Sequence, residues 1–155
     1  MNYKYINIYN NLVTLTRNKN LYKSFNNQDI FSDRLTFFLL HFSFFLKIYK
    51  HEANKDILQE IYDYVFIQLE LSIREIGYGD QSINKKMKDY LNLLYAMIDK
   101  IDNWENLSLD LKHSLLMKFL NNNADKAFLT DYFEKYRLHL LNNTLNCHIK
   151  GVLKH

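Results

Sequence analysis

Apolar residues recur every three to four positions along most of the chain, a period that predicts amphipathic α-helices. The predicted helices cover residues 3–16, 28–51, 54–76, 80–101, 108–120 and 125–145. No segment alternates with the two-residue period of a strand, and no hairpin turn sequence stands out. The pattern therefore predicts an all-α protein, a single-domain bundle of six to seven helices over residues 1–155. Its C-terminal helices, residues 108–148, would pack on the rest, and the tail from Lys150 onward would fray.

The third and fourth predicted helices meet at Gly77-Tyr78-Gly79. The chain has only three glycines and no proline, so two glycines separated by one residue indicate a position with positive φ. We expect that conformation at Gly79, where a valine would then destabilise the fold by more than about 1 kcal/mol. Asp80 or Ser82 is expected to cap the helix that follows.

Three polar residues fall on helix faces that otherwise resemble core. On a helical wheel Arg34 and His41 lie one heptad apart on the apolar face of the second helix, and Glu75 lies off the polar stripe of the third. An unpaired buried charge is costly. We therefore expect an ion pair between Arg34 and Glu75 with His41 nearby, unless this face is open to a polar partner.

The densest basic cluster, Lys85, Lys86 and Lys88, follows the glycines directly. Cations near the start of a helix oppose its macrodipole. One interpretation is a solvated face whose small cost Asp80 and water offset. The other is a contact site for an anionic partner, which would be a phosphate, a nucleic acid or an acidic loop.

Composition narrows the class of protein. The net charge of +3 is too small for a dedicated DNA or RNA binder but permits loose contact with anionic lipid or ribosomal RNA. Aromatic residues make up 15% of the chain, which fits either a biased codon usage or an adaptable apolar surface for a client.

The single cysteine, Cys147, excludes an intrachain disulfide. Without a signal pattern or about 18 uninterrupted apolar residues, the protein is expected to be soluble or to lie on a membrane without crossing it.

Motifs typical of enzymes and metal sites are missing from the sequence. Gly77-Tyr78-Gly79 lacks the third glycine of a phosphate-binding loop, and Cys147-His148 has no second metal half-site. A lone histidine on an apolar face, such as His41, is more often structural than a ligand. We therefore expect no catalytic residue, metal or cofactor. A third hypothesis, a small helical enzyme, has no constellation of residues that would support it.

The stretch Ile73-Arg74-Glu75-Ile76-Gly77-Tyr78-Gly79-Asp80, followed by Lys85-Lys86-Met87-Lys88, resembles the signature of the ubiquinol–cytochrome c chaperone family. Weaker stretches keep the family order: Arg17 to Tyr22, then Asp29, Arg34 and His41, then Gln59, Asp63 and Phe66. The resemblance covers about residues 10–100. Of the family's Ala-Phe-Tyr-Gly-Arg segment, only Tyr95 is kept.

The resemblance implies an assembly chaperone for the cytochrome bc1 complex (respiratory complex III), with cytochrome b or another bc1 subunit as its client. It implies a place on the cytoplasmic or mitochondrial-matrix side, peripheral to the inner membrane, and the ribosome or a small co-chaperone as further partners. The partner-binding residues would be Arg74, Asp80, Lys85, Lys86 and Lys88, and the structural motif Arg34, His41, Glu75, Gly77 and Gly79. The alternative is a basic helical module that binds RNA, the ribosome or a membrane surface without a dedicated client.

Overall fold

Helices form the regular structure of the described chain, which comprises residues 3–28 and 30–155 of a computed structural model. The α-helices are α1 (Ile6–Thr16), α2 (Phe31–Tyr49), α3 (Lys55–Ile76), α4 (Asp80–Ile101), α5 (Leu109–Met117), α6 (Lys126–Leu141) and α7 (Leu145–Lys150). Short 3₁₀ turns lie at Lys19–Tyr22, Glu52–Asn54 and Trp104–Asn106. The described residues contain no strand, so the all-α prediction is confirmed. Asp29, part of one family-like stretch, lies outside the described residues.

Helix α2 lies at the centre of the fold. Every residue from 37 to 45 is buried, so the middle of the helix is covered on all sides, as expected for a helix that is apolar all round. Helices α1, α4 and α6 pack against it, and Phe44 stacks on Phe133 of α6 with ring centroids 5.3 Å apart. The polar residue Ser43 is buried within this stretch and donates to the carbonyl oxygen of Leu40 at 2.7 Å.

Helix α1 packs on α2 and α3 through the face that its periodicity predicts. Ile8 and Leu12 are fully buried, and the hydroxyl groups of Tyr9 and Ser72 lie 3.0 Å apart. Near the start of α1, the Tyr5 hydroxyl donates to the carboxylate of Glu60. Tyr5 contacts Glu60 in α3, and Tyr9 contacts Ser72, which comes later in α3. The two helices therefore run in the same direction.

One carboxylate joins the segments that follow α4. Glu134 of α6 accepts a hydrogen bond from Nε1 of Trp104 at 2.7 Å and from Nη2 of Arg137 at 2.6 Å. Lys112 of α5 lies 3.7 Å from the same group. The bond from Arg137, and then that from Trp104, lower the pKa of Glu134 to about 2. Glu134 therefore stays ionised and holds α5, α6 and the 3₁₀ turn together.

The predicted last helix is divided into α6 and α7. Helix α6 ends at Leu141, and the Thr144 hydroxyl accepts from the backbone N–H of Cys147 at 3.2 Å to cap α7. The expectation of a frayed tail is wrong. The buried side chain of Asn143 donates to the carbonyl oxygen of Lys154 at 3.1 Å and accepts from its N–H at 2.7 Å. A buried amide needs such partners, and here the tail supplies them.

Helices α5 and α6 bury only part of their apolar residues. Leu115 and Leu129 are buried, whereas Leu111 is 55% exposed and Phe128 is 40% exposed. Both exposed residues lie in the first turn of their helix. Helix α5 buries its apolar side chains near its other end, at Leu115 and Leu116.

Replacing Asn143 by alanine should release the tail and cost about 1–2 kcal/mol, because two backbone groups of Lys154 lose their partner. Hydrogen exchange at the Lys154 amide should accelerate in the variant. Asn142→Ala is the matched control, since Asn142 is exposed and its side chain makes no hydrogen bond in the described chain. Equal exchange in the two variants would show that the tail is not held by Asn143.

Candidate functional site

The first glycine of the corner, not the second, has the left-handed backbone. Helix α3 ends at Gly77, with φ 102° and ψ 18°, and its N–H donates to the carbonyl oxygen of Arg74 at 3.0 Å. Gly79 has φ −72° and ψ 160°, an extended conformation that any residue adopts. The expectation of strain at Gly79 is therefore wrong. The residue just past the helix end takes the left-handed conformation, and here that residue is Gly77.

Asp80 closes the corner instead of capping α4. Gly79 occupies the N-cap position without a side-chain hydrogen bond, and both Asp80 and Ser82 lie inside the helix. Oδ1 of Asp80 lies 2.5 Å from Nη1 of Arg74, which also pairs with Glu70 at 3.6 Å. The hydrogen bond with Asp80 raises the pKa of Arg74. The carboxylate therefore ties the end of α3 to the start of α4.

The three lysines follow on the first half of α4. Lys85 and Lys88 are exposed, and Nζ of the half-buried Lys86 lies 4.5 Å from the ring centroid of Tyr78. They are the sixth, seventh and ninth residues of the helix, beyond its first turn, where the effect of the dipole has faded. No described carboxylate forms an ion pair with any of them. We call Arg74, Asp80, Lys85, Lys86 and Lys88 the corner patch.

The expected ion pair between Arg34 and Glu75 does not form. Both residues are exposed, Arg34 in the first turn of α2 and Glu75 in the last turn of α3, and they make no contact with each other within ion-pair distance. The Arg34 guanidinium lies 5.8 Å from the ring centroid of Phe31. His41 lies further along α2 and is fully buried. A helical wheel predicts an inner face only where neighbouring helices cover the helix. The start of α2 and the end of α3 are not covered, so Arg34 and Glu75 lie exposed there.

His41 is a structural histidine. Its Nδ1 lies 2.6 Å from the carbonyl oxygen of Phe37 and its Nε2 lies 2.7 Å from the hydroxyl of Tyr132. Since a carbonyl only accepts, Nδ1 carries the hydrogen and the neutral Nε2 accepts from Tyr132. The rings of Tyr132, Phe133 and Tyr136 surround it with centroids 5.0–5.5 Å away. Burial lowers the pKa of His41 to about 4, so the ring stays neutral.

A groove of about 650 Å³ opens between the end of α2, the start of α3 and the second half of α4. The hydroxyl groups of Tyr62 and Tyr95 lie 3.1 Å apart there, and Tyr95 is 56% exposed. The other lining residues are Leu46, Lys50, His51, Glu52, Lys55, Leu58, Gln59 and Ile98. We call it the tyrosine groove. The sequence indicates Tyr95 through the family segment, but the only signal for Tyr62 is its place between Gln59 and Asp63.

Helix α4 connects the corner patch and the tyrosine groove. Lys88 and Tyr95 are seven residues apart, which places them on the same helix face about 10 Å apart along the axis. Both side chains are exposed. The corner patch and the tyrosine groove therefore each contribute an exposed side chain to one face of α4.

The described residues hold no group of three or more histidine, cysteine or carboxylate side chains able to bind a metal ion. None of the described helices combines the length and apolar content that a membrane-spanning segment requires.

A sequence model of the family described as "Ubiquinol-cytochrome C chaperone" matches residues 23–137, and the chain belongs to this family. It is therefore a chaperone, a protein that binds a client. The matched range includes the corner patch and the tyrosine groove, and it extends past the family-like region found in the sequence. The stretch from Arg17 to Tyr22 lies outside it.

The fold is also that of a solved structure. The crystal structure of the Cbp3 homolog from Brucella abortus is similar, with a TM-score of 0.75 over 98% of this chain and 88% of that chain. The two sequences are 21% identical, so the likeness concerns the fold. A search of curated protein sequences finds no match.

Gly77→Ala should destabilise the protein by about 1–2 kcal/mol, because a Cβ atom is unfavourable at φ 102°. Gly79→Ala is the matched control and should stay within about 0.5 kcal/mol of the wild type. Neither new Cβ atom meets a heavy atom within 4 Å, so packing does not confound the comparison. Urea unfolding measures both, and an equal loss at the two positions would contradict the assignment of the left-handed residue.

Acid should destabilise the fold through His41. Its pKa is lowered from 6.5 to about 4, so the unfolded chain binds the proton first. The stabilisation is complete above pH 6.5 and is lost as the pH falls toward 4, by a few kcal/mol at most. His148, whose pKa burial also lowers to about 4, adds to the same slope.

Unfolding free energies measured across this pH range test the assignment. His41→Phe should be less stable at neutral pH, because Phe37 and Tyr132 lose a partner, but its stability should fall less steeply in acid. His148 is retained in both proteins and serves as the internal reference. An identical slope in wild type and variant would mean that His41 is not buried in the neutral form.

Proposed function

We propose that this chaperone assists assembly of the cytochrome bc1 complex and that its client is cytochrome b or another bc1 subunit. The observation that carries the proposal is the family match over residues 23–137, which spans the whole surface from Arg74 to Tyr95. The client would be met on the cytoplasmic or mitochondrial-matrix side, with the chaperone peripheral to the inner membrane. A ribosome or a small co-chaperone would be a further partner.

The corner patch and the tyrosine groove offer complementary chemistry for a membrane-protein client. Lys85, Lys86 and Lys88 have no ion-pair partner in the described chain, so binding an acidic loop of the client would not break an existing pair. The groove offers the two tyrosine rings over apolar side chains such as Leu58. Aromatic side chains with a polar end suit a surface that covers apolar segments while remaining hydrated.

Replacing Lys85, Lys86 and Lys88 together by glutamine should change stability by about 0.5 kcal/mol or less at the exposed Lys85 and Lys88. At the half-buried Lys86, loss of the cation–π contact with Tyr78 should cost about 0.5–1 kcal/mol. Cytochrome b should nevertheless accumulate to a lower level in cells that carry only this variant. Association with the client should weaken most at low salt, where exposed charges are least screened.

The matched control replaces three other exposed lysines: Lys118, which follows the last residue of α5, Lys126 on α6 and Lys150 on α7. It removes the same charge without touching the patch, and cytochrome b should accumulate normally. If the patch variant also supports normal accumulation and melts normally, its lysines are a solvated face. Tyr95→Ala would then test the tyrosine groove as the client site.

A basic module for RNA, the ribosome or a membrane surface is the second candidate, favoured by the same unpaired lysines. RNA binding that falls with salt along a slope tracking these three charges, without any defect in cytochrome b, would support it.

A further inference from the structure

Residues 135–155 contain no aspartate or glutamate, although the chain has 17 acidic residues in all. The basic side chains at the start of this segment, on α6, pair with carboxylates of the same helix. Lys150 and Lys154, near its end, form no ion pair with any described carboxylate. The second half of α6, α7 and the tail therefore carry positive charge that no acidic side chain of the segment balances.

Large apolar side chains are exposed in the same segment. Leu138 and Leu141 of α6 are 52% and 57% exposed, and Val152 of the tail is 68% exposed. The two leucines are three residues apart, which places them on one side of the helix. Apolar side chains that come together at a surface, with polar residues around them, mark a site of interaction with another apolar phase or partner.

The tail lies against the last turn of α6. Asn143 bonds to both backbone groups of Lys154, and the ring of His155 stacks on that of His139 with centroids 5.9 Å apart. Val152, two residues before Lys154, is therefore held beside the end of α6. We call Leu138, Leu141, Lys150, Val152 and Lys154 the α6–α7 surface.

The chemistry of this surface fits an anionic lipid bilayer. Its lysines are attracted to anionic headgroups, while aliphatic side chains can enter the boundary between the headgroups and the acyl chains. A nucleic acid would attract the same lysines but would leave the aliphatic side chains in water. Its bases would also find no exposed Phe, Tyr or Trp ring to stack on, because Tyr136 is the only one in the segment and is buried.

We propose that the α6–α7 surface lies on an anionic lipid bilayer, with its aliphatic side chains in the headgroup region and its lysines at the phosphates. The proposal rests on the proposed place of the chaperone at the periphery of a membrane, and it names the part that touches the lipid. The surface shares no residue with the corner patch or the tyrosine groove. Residues 138–155 also lie beyond the range that the family model matches, so the family match does not imply this contact.

Flotation of the full chain with lipid vesicles measures the contact. The protein should float with vesicles of phosphatidylcholine and phosphatidylglycerol but not with vesicles of phosphatidylcholine alone. Leu138→Ser combined with Leu141→Ser should weaken binding about ten-fold or more, because two aliphatic side chains no longer enter the bilayer. Lys150→Gln combined with Lys154→Gln should weaken it about five-fold for each lysine lost, and most clearly at low salt.

Matched controls exist for both pairs of substitutions. Ile67→Ser with Leu71→Ser removes two exposed aliphatic side chains from α3, and Lys118→Gln with Lys126→Gln removes two exposed lysines outside the surface. Both controls should float as the wild type does, and melting curves confirm that each variant is folded.

The lysine variants of the cytochrome b experiment can be tested in the same way. The variant with the three lysines of the corner patch replaced should still float. Its control loses only Lys150 from the α6–α7 surface, so it should bind about five-fold more weakly and still float with anionic vesicles.

Several results would overturn the proposal. One is the absence of flotation with anionic vesicles. Another is flotation that the leucine variant leaves unchanged or that the control pairs weaken equally. Flotation lost only in the corner-patch variant would place the membrane contact at the glycine corner. RNA binding that depends on Lys150 and Lys154, in a protein that does not float, would make the surface an RNA site instead.

The vesicle experiment contains no cytochrome b, so the two proposals can fail separately. Flotation with the expected pattern, together with normal cytochrome b accumulation in cells that lack the chaperone, would contradict the proposed function alone. A cytochrome b defect in the corner-patch variant, without any flotation of the wild type, would contradict the membrane contact alone.

Discussion

Complete burial of the middle of α2 is the constraint on which the other helices depend. Residues 37–45 are all buried, so neighbouring helices must cover this part of α2 on every side. The same burial requires each polar side chain there to find a partner inside the fold. Ser43 finds it within α2, and His41 finds it in Tyr132 of α6. Because α2 is enclosed in this way, the surfaces left for binding come from its ends and from the outer faces of its neighbours.

The sequence was sufficient for the number of helices and for most of their bounds, because periodicity and breaks are local properties. It failed where the outcome depends on what lies beside a helix. Arg34 and Glu75 occupy inner faces by periodicity but lie at uncovered ends, so they need no mutual ion pair. Two closely spaced glycines predict a left-handed residue, but which one depends on where α3 stops, and it stops at Gly77. The break before α7 has no glycine or proline, and only Thr144 marks it.

The sequence predicts the parts of the candidate site that lie within one motif. It does not predict the parts that the fold brings together from distant residues. The family-like stretch identified the corner patch, but the bond between Arg74 and Asp80 depends on the geometry of the turn. Tyr62 stands 33 residues before Tyr95, and only the hairpin of α3 and α4 brings their hydroxyl groups together. The lysines of the corner patch would oppose the helix dipole only if they lay in the first turn of α4. The helix starts at Asp80, so they lie beyond that turn.

The contact between Trp104 and Glu134 has a practical consequence for spectroscopy. Trp104 is the only tryptophan of the chain, it is fully buried, and its indole N–H is bonded to a permanently charged carboxylate at neutral pH. Its emission should report on the packing of α5 and α6 around the 3₁₀ turn, and it should shift to the red when that packing is lost. The 22 residues of α4 separate this indole from the glycine corner by about 30 Å. The protein thus contains an intrinsic optical reporter of unfolding that lies far from the glycine corner.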